Sequence, residues 1–116
     1  MSAPFVEVID QTTLQNRVAE LGREITSALT EDDPVVVGVL KGSVPFLTDL
    51  ARHLPPTVEI DFLNLTRFGR EGRVSIAMDL SVSVEDRAVL IVEDIVDTGL
   101  TLATLRKMLL ARGASS

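Results

Sequence analysis

The sequence predicts an α/β fold, a doubly wound parallel sheet, on three observations. Val35 to Leu40 and Ala88 to Val92 are short apolar blocks without alternation, the pattern of strands buried on both faces. Segments of helical periodicity precede and follow these blocks, and breaker residues separate them. Helices that alternate with short buried strands call for parallel pairing with right-handed crossovers, and in such sheets ligands bind at the carboxyl ends of the strands.

The elements follow in order. Between Asp10 and Thr30, Leu14, Val18, Leu21, Ile25 and Leu29 recur every three or four residues, which predicts an amphipathic helix capped by Thr12 or Thr13. The charges from Arg17 to Glu24 fall on its solvated face. Glu31, Asp32, Asp33 and Pro34 break the pattern before the Val35 to Leu40 strand. Lys41, Gly42 and Ser43 read as a tight turn, with Ser43 capping a short helix from Val44 to Arg52 that accepts Pro45 in its first turn. Pro55 and Pro56 end it. The lone histidine, His53, lies just past this helix, where a cation ordinarily serves as a cap. Val58 to Leu65 and Val74 to Met78 alternate as two strands flanking a polar, mobile loop from Thr66 to Arg73. After the Ala88 to Val92 strand, Leu102, Leu105 and Leu109 line one face of a helix that stops at Gly113. Met78 and Met108 fall at core spacing.

Composition narrows the function. The chain has 116 residues, 46% of them hydrophobic, enough for one packed domain and too apolar for disorder. Seventeen acidic residues against eleven basic ones give a net charge of −6, so a nucleic-acid backbone would be repelled. There is no Cys, which fits a reducing compartment and leaves no thiol nucleophile or thiolate metal site. No apolar stretch is long enough for a membrane span and the first ten residues carry no secretion signal, so the expected location is cytoplasmic.

The segment from Val89 to Leu102 carries the chemistry. An apolar strand delivers two adjacent carboxylates, Glu93 and Asp94, to its carboxyl end, where they can accept hydrogen bonds from vicinal hydroxyls or sit near a metal ion. Asp97, Thr98, Gly99, Leu100 and Thr101 then turn into a helix start, where free backbone N–H groups, the helix dipole and two hydroxyls suit a phosphate monoester. Sugar hydroxyls beside a terminal phosphate describe a ribose 5-phosphate. The glycine patterns of a P-loop and of a dinucleotide-binding turn are absent.

These residues resemble the phosphoribosyl pyrophosphate signature of type I phosphoribosyltransferases, most nearly the hypoxanthine-guanine branch. Val39-Leu40-Lys41-Gly42-Ser43 resembles that branch's first loop, and Val58 to Leu63 its next strand, so the likeness spans essentially the whole chain. It implies a Mg2+-dependent transfer of phosphoribose from 5-phospho-α-D-ribosyl 1-pyrophosphate to a 6-oxopurine, giving IMP or GMP and pyrophosphate. By the same resemblance, Glu93 and Asp94 hold the ribose hydroxyls and meet the metal only indirectly. Asp97 accepts the purine N7 proton as the catalytic residue, Thr98, Gly99, Leu100 and Thr101 hold the 5-phosphate, and Lys41 and Gly42 face the pyrophosphate. A cis peptide bond before Lys41 and a homo-oligomer are further implications.

Two departures stand out. Where the branch carries a Ser-Tyr pair on its closing loop, this chain has Thr66-Arg67-Phe68-Gly69, with Arg67, Arg70 and Arg73 adding positive charge. Family members also continue beyond the point matching Ser116, through the segment that reads the purine. Residues 1–116 are therefore expected to form a single domain with a truncated C-terminal edge. A non-catalytic binder of phosphoribosyl pyrophosphate or a nucleotide, and an enzyme for another base, remain open alternatives.

Overall fold

The structure, a computed structural model, describes residues 5–31, 33–69 and 73–116, with the side chain of Phe68 excepted. Helix α1, Gln11–Ala28, is the first element. Its cap is Asp10, whose carboxylate accepts the Thr13 N–H at 2.6 Å, so neither Thr12 nor Thr13 caps it as expected. An acid in extended conformation just before the helix satisfies an orphan donor and faces the positive end of the dipole. Arg17 pairs with Glu20 and Glu24 on the outer face.

Strand β1, Val35–Leu40, is the centre of the molecule, with Val35, Val36 and Val37 wholly buried. Parallel neighbours flank it: β2, Glu59–Phe68, on one side and β4, Val89–Val92, on the other. Strand β3, Arg73–Met78, returns antiparallel to β2, giving the order β3-β2-β1-β4. Helix α2, Val44–Ala51, joins β1 to β2, and α3, Leu100–Ala111, follows β4. Successive side chains of β1 face opposite ways. Val36 packs with Val18 of α1 and Leu47 and Leu50 of α2, whereas Val35, Val37 and Val39 pack with Leu63 and with Leu105 of α3. Helices thus cover both faces, which is the doubly wound arrangement.

Four local expectations change. Ser43 makes no capping bond; its buried hydroxyl instead donates to the Val39 carbonyl at 2.6 Å, tying the turn back to the strand that precedes it. The loop expected from Thr66 to Arg73 is shorter, because β2 continues through Thr66, Arg67 and Phe68, and Gly69 at φ +75° begins the turn. Cross-strand pairing with Ser75, Val74 and Arg73 supplies the order that the polar sequence concealed. Arg70 lies outside the described residues. Met78, 46% exposed on an edge strand, does not enter the core, and Leu14, 52% exposed, stays largely in solvent in the first turn of α1. Along the hairpin the register slips between Asn64 and Leu65, leaving Ala77 as an extra residue on β3, a bulge where β2 parts from β1.

At the lower end of the sheet Arg87 gathers three segments. Its guanidinium reaches Asp33 at 3.0 Å and Glu59 at 2.9 Å, and bonds the carbonyls of Asp33 and Ser83. No helix among the described residues is long and apolar enough to cross a membrane.

Candidate active site

Parallel pairing puts the carboxyl ends of β1 and β4 at one level, with Gly38 opposite Val92. The residues that follow each strand, Lys41 and Gly42 after β1 and Glu93 and Asp94 after β4, therefore emerge side by side. The contact is close: a β-carbon placed on Gly42 would lie 2.0 Å from Asp94 Oδ2, inside any permissible separation. Glycine at 42 is what lets the backbone of the first turn lie against the second carboxylate. Asp94 Oδ1 accepts the Ile95 N–H at 2.8 Å, which fixes the carboxylate in that position. The Leu40–Lys41 peptide is cis, as the resemblance implied.

The other carboxylate faces a different way. Glu93 lines a pocket of about 120 Å³ together with Arg67, Ile95, Val96, Asp97, Thr98, Gly99, Thr101 and Leu102. Partial burial pushes the Glu93 carboxyl above its ordinary range, the charge of Asp94 adds to the effect, and the Arg67 guanidinium opposes it. Gly99, at φ +82°, forms the turn into α3 in the left-handed region that favours glycine, and the Thr98 hydroxyl accepts the Leu100 N–H at 3.3 Å. A β-carbon at Gly99 would meet nothing within 4 Å, so the turn is open toward the pocket. The remaining N–H groups of the first helical turn have no intrahelical partner and suit an anion.

The predicted residues thus fall into two adjoining groups, Lys41, Gly42 and Asp94 on one side and Glu93, Asp97, Thr98, Gly99 and Thr101 in the pocket. The Leu100 side chain, 69% exposed, stands outside the pocket lining, and only its backbone belongs to the turn. Sequence reading passed over Ile95 and Val96, which are 77% and 58% exposed and form an apolar wall beside the carboxylates. The signal was present, since two large apolar residues between Asp94 and Asp97 have no core to enter. Arg67, expected on the closing loop, lies on β2 instead, and its guanidinium crosses from the hairpin to donate to the Thr101 hydroxyl.

Among the described residues no three acidic or histidine side chains gather into a metal cage. Glu93 and Asp94 diverge, one into the pocket and one against Gly42. Such a donor set fits Mg2+ only in the way that ion is commonly held, by one or two carboxylates with the rest of its shell from water and substrate phosphates.

The family model described as phosphoribosyl transferase domain matches residues 9–116. The chain is 42% identical over 113 residues to a hypoxanthine-guanine phosphoribosyltransferase of Bacillus subtilis, covering 94% of this chain and 63% of that protein. It is 43% identical over 113 residues to a bifunctional TilS/HprT protein of Listeria innocua, again over 94% of this chain but only 17% of the other. Among solved structures, a hypoxanthine-guanine phosphoribosyltransferase of Bacillus anthracis superposes with a TM-score of 0.86 at 35% identity, over 92% of this chain and 66% of that one. The hypoxanthine phosphoribosyltransferase of Trypanosoma cruzi in complex with the product IMP gives 0.87 at 32% identity, over 100% and 70%. The chain therefore spans less than two thirds of the length of the Bacillus subtilis relative.

Proposed function

Because this chain belongs to the phosphoribosyl transferase domain family, we propose that residues 9–116 form the phosphoribosyl-binding site of a hypoxanthine-guanine phosphoribosyltransferase. The observation that carries the reading is the meeting of the Lys41–Gly42 turn with the Glu93-to-Thr101 segment at the ends of neighbouring parallel strands. Similarity to a hypoxanthine-guanine phosphoribosyltransferase of Bacillus subtilis and to a hypoxanthine phosphoribosyltransferase of Trypanosoma cruzi supports the choice of base.

In the proposed reaction the bond from ribose C1 to pyrophosphate breaks, a bond from C1 to purine N9 forms, and the base loses a proton. Glu93 and Asp94 accept hydrogen bonds from the ribose hydroxyls, and their charge favours the cation-like C1 of the transition state. Asp97 accepts the proton at purine N7, with the base lying against the Ile95 and Val96 wall. The turn from Thr98 to Thr101 binds the 5-phosphate, and Lys41 with the Gly42 backbone faces the pyrophosphate. Glu93 and Asp94 would hold Mg2+ indirectly, and the ion would supply charge neutralisation for the pyrophosphate. The reading also takes the chain as one domain, working in the cytoplasm as a homo-oligomer.

The test is a melting curve with 5-phospho-α-D-ribosyl 1-pyrophosphate and Mg2+. A ligand that binds only the folded chain stabilises it by about 2.7 kcal/mol at a hundredfold excess over Kd. Asp94→Asn should reduce the shift, whereas Asp97→Asn, assigned to the base, should leave it nearly intact. No shift at millimolar ligand would overturn the proposal.

A further inference from the structure

We infer that Arg67 is a binding residue for the 5-phosphate, reaching the sugar end of the substrate from the last residues of β2. The inference rests on the function proposed above and extends it to a residue outside the signature segment. Asn64 is the last residue of β2 to pair with β1, opposite Leu40, and β2 runs on through Phe68. Arg67 is therefore carried about 10 Å beyond the end of that pairing, at about 3.3 Å per residue. Its guanidinium bonds the hydroxyl of Thr101, the second residue of α3.

Charge decides what the guanidinium is for. Among the described residues the pocket lining has two carboxylates, Glu93 and Asp97, and one cation, Arg67. Against those two charges the positive end of α3 offers about half a unit, too little to draw in a phosphate dianion. With Arg67 the balance comes close to neutral. Among the described residues Arg67 forms no ion pair, and its one hydrogen bond goes to a neutral hydroxyl. Most of its planar donor fork therefore remains for an incoming phosphate, which it can grip with two parallel bonds. Thr101 and Arg67 would then hold the same phosphate as neighbours, one from the helix and one from the hairpin.

Isothermal titration of the whole chain with ribose 5-phosphate, and separately with pyrophosphate and Mg2+, separates the two ends of the substrate. Arg67→Gln should weaken ribose 5-phosphate binding about tenfold or more, the usual effect of losing a hydrogen bond to a charged group, and leave pyrophosphate binding unchanged. Arg67→Lys, which keeps the charge and loses the fork, should fall between the two. Equal affinity of wild type and Arg67→Gln for ribose 5-phosphate, or a loss confined to pyrophosphate, would overturn the inference while leaving the proposed function standing. A wild-type chain that binds neither ribose 5-phosphate nor 5-phospho-α-D-ribosyl 1-pyrophosphate would overturn both.

Discussion

The contact between Gly42 and Asp94 joins two loops through the absence of one carbon atom. With Asp94 Oδ2 at 2.0 Å from the place of a β-carbon, Gly42→Ala must drive the carboxylate away or bend the turn after β1. Either movement spoils the site while the core, which neither residue enters, stays packed. We expect the melting temperature without ligand to change little and the shift given by 5-phospho-α-D-ribosyl 1-pyrophosphate to be lost. Glu93 gives a second prediction, in pH. Its carboxyl is raised by burial and by Asp94, so the folded chain binds this proton more tightly than the unfolded chain. Stability from this group is present in acid and falls as pH rises from the ordinary carboxylate range through the raised value. Glu93→Gln should flatten that part of the stability profile, measured by urea titration between about pH 4 and 7. Arg67→Gln, by removing the opposing charge, should extend the fall to higher pH.

Among the elements, β1 leaves little room for change. A β-carbon on Gly38 would lie 2.7 Å from Leu47 Cδ2 and 2.8 Å from two ring carbons of Phe62, so the strand, α2 and β2 leave it no room. Gly38→Ala should destabilise the fold by about 1–3 kcal/mol, the usual range for overpacking, read as a lower urea midpoint with an unchanged slope. The same elements show what the sequence could tell. The span from Val35 to Leu40 is apolar throughout, and Val18, Leu21 and Ile25 repeat at helical spacing, so β1 was legible from its unbroken apolar run and α1 from its periodicity. The end of β2 was not. Thr66, Arg67 and Phe68 read as loop because their strand character comes from a partner, residues 73 to 75, across the turn. Ser43 misled for a related reason, since its choice between capping α2 and bonding Val39 depends on a geometry that a linear pattern does not contain.

For the molecule as a whole, the acid pair, the glycine turn and the lysine turn were visible as separate motifs, but their closeness follows from β4 lying beside β1, which no local pattern encodes. That order also leaves β4 at the margin of the described sheet, with only Arg87 and Val89 bonded to the backbone of Ser115 and Ser116. Val89 and Ile91 share an open groove there with Leu102, Leu109 and Leu110. Edge strands with apolar surroundings recruit partners. Light scattering of the 116-residue chain should therefore show a mass that grows with concentration, and a monomer at all concentrations would contradict this. The bulge at Ala77 has a consequence of another kind. It lies where the paired ribbon of β2 and β3 leaves the sheet, so a tilt of that ribbon would pivot there, with Arg67 out along the arm. A tilt of 10° about it, over an arm of about 10 Å, carries that end through about 2 Å. A displacement of that size is enough to make or break a hydrogen bond, so a small rotation at an edge strand would part the guanidinium from the helix start.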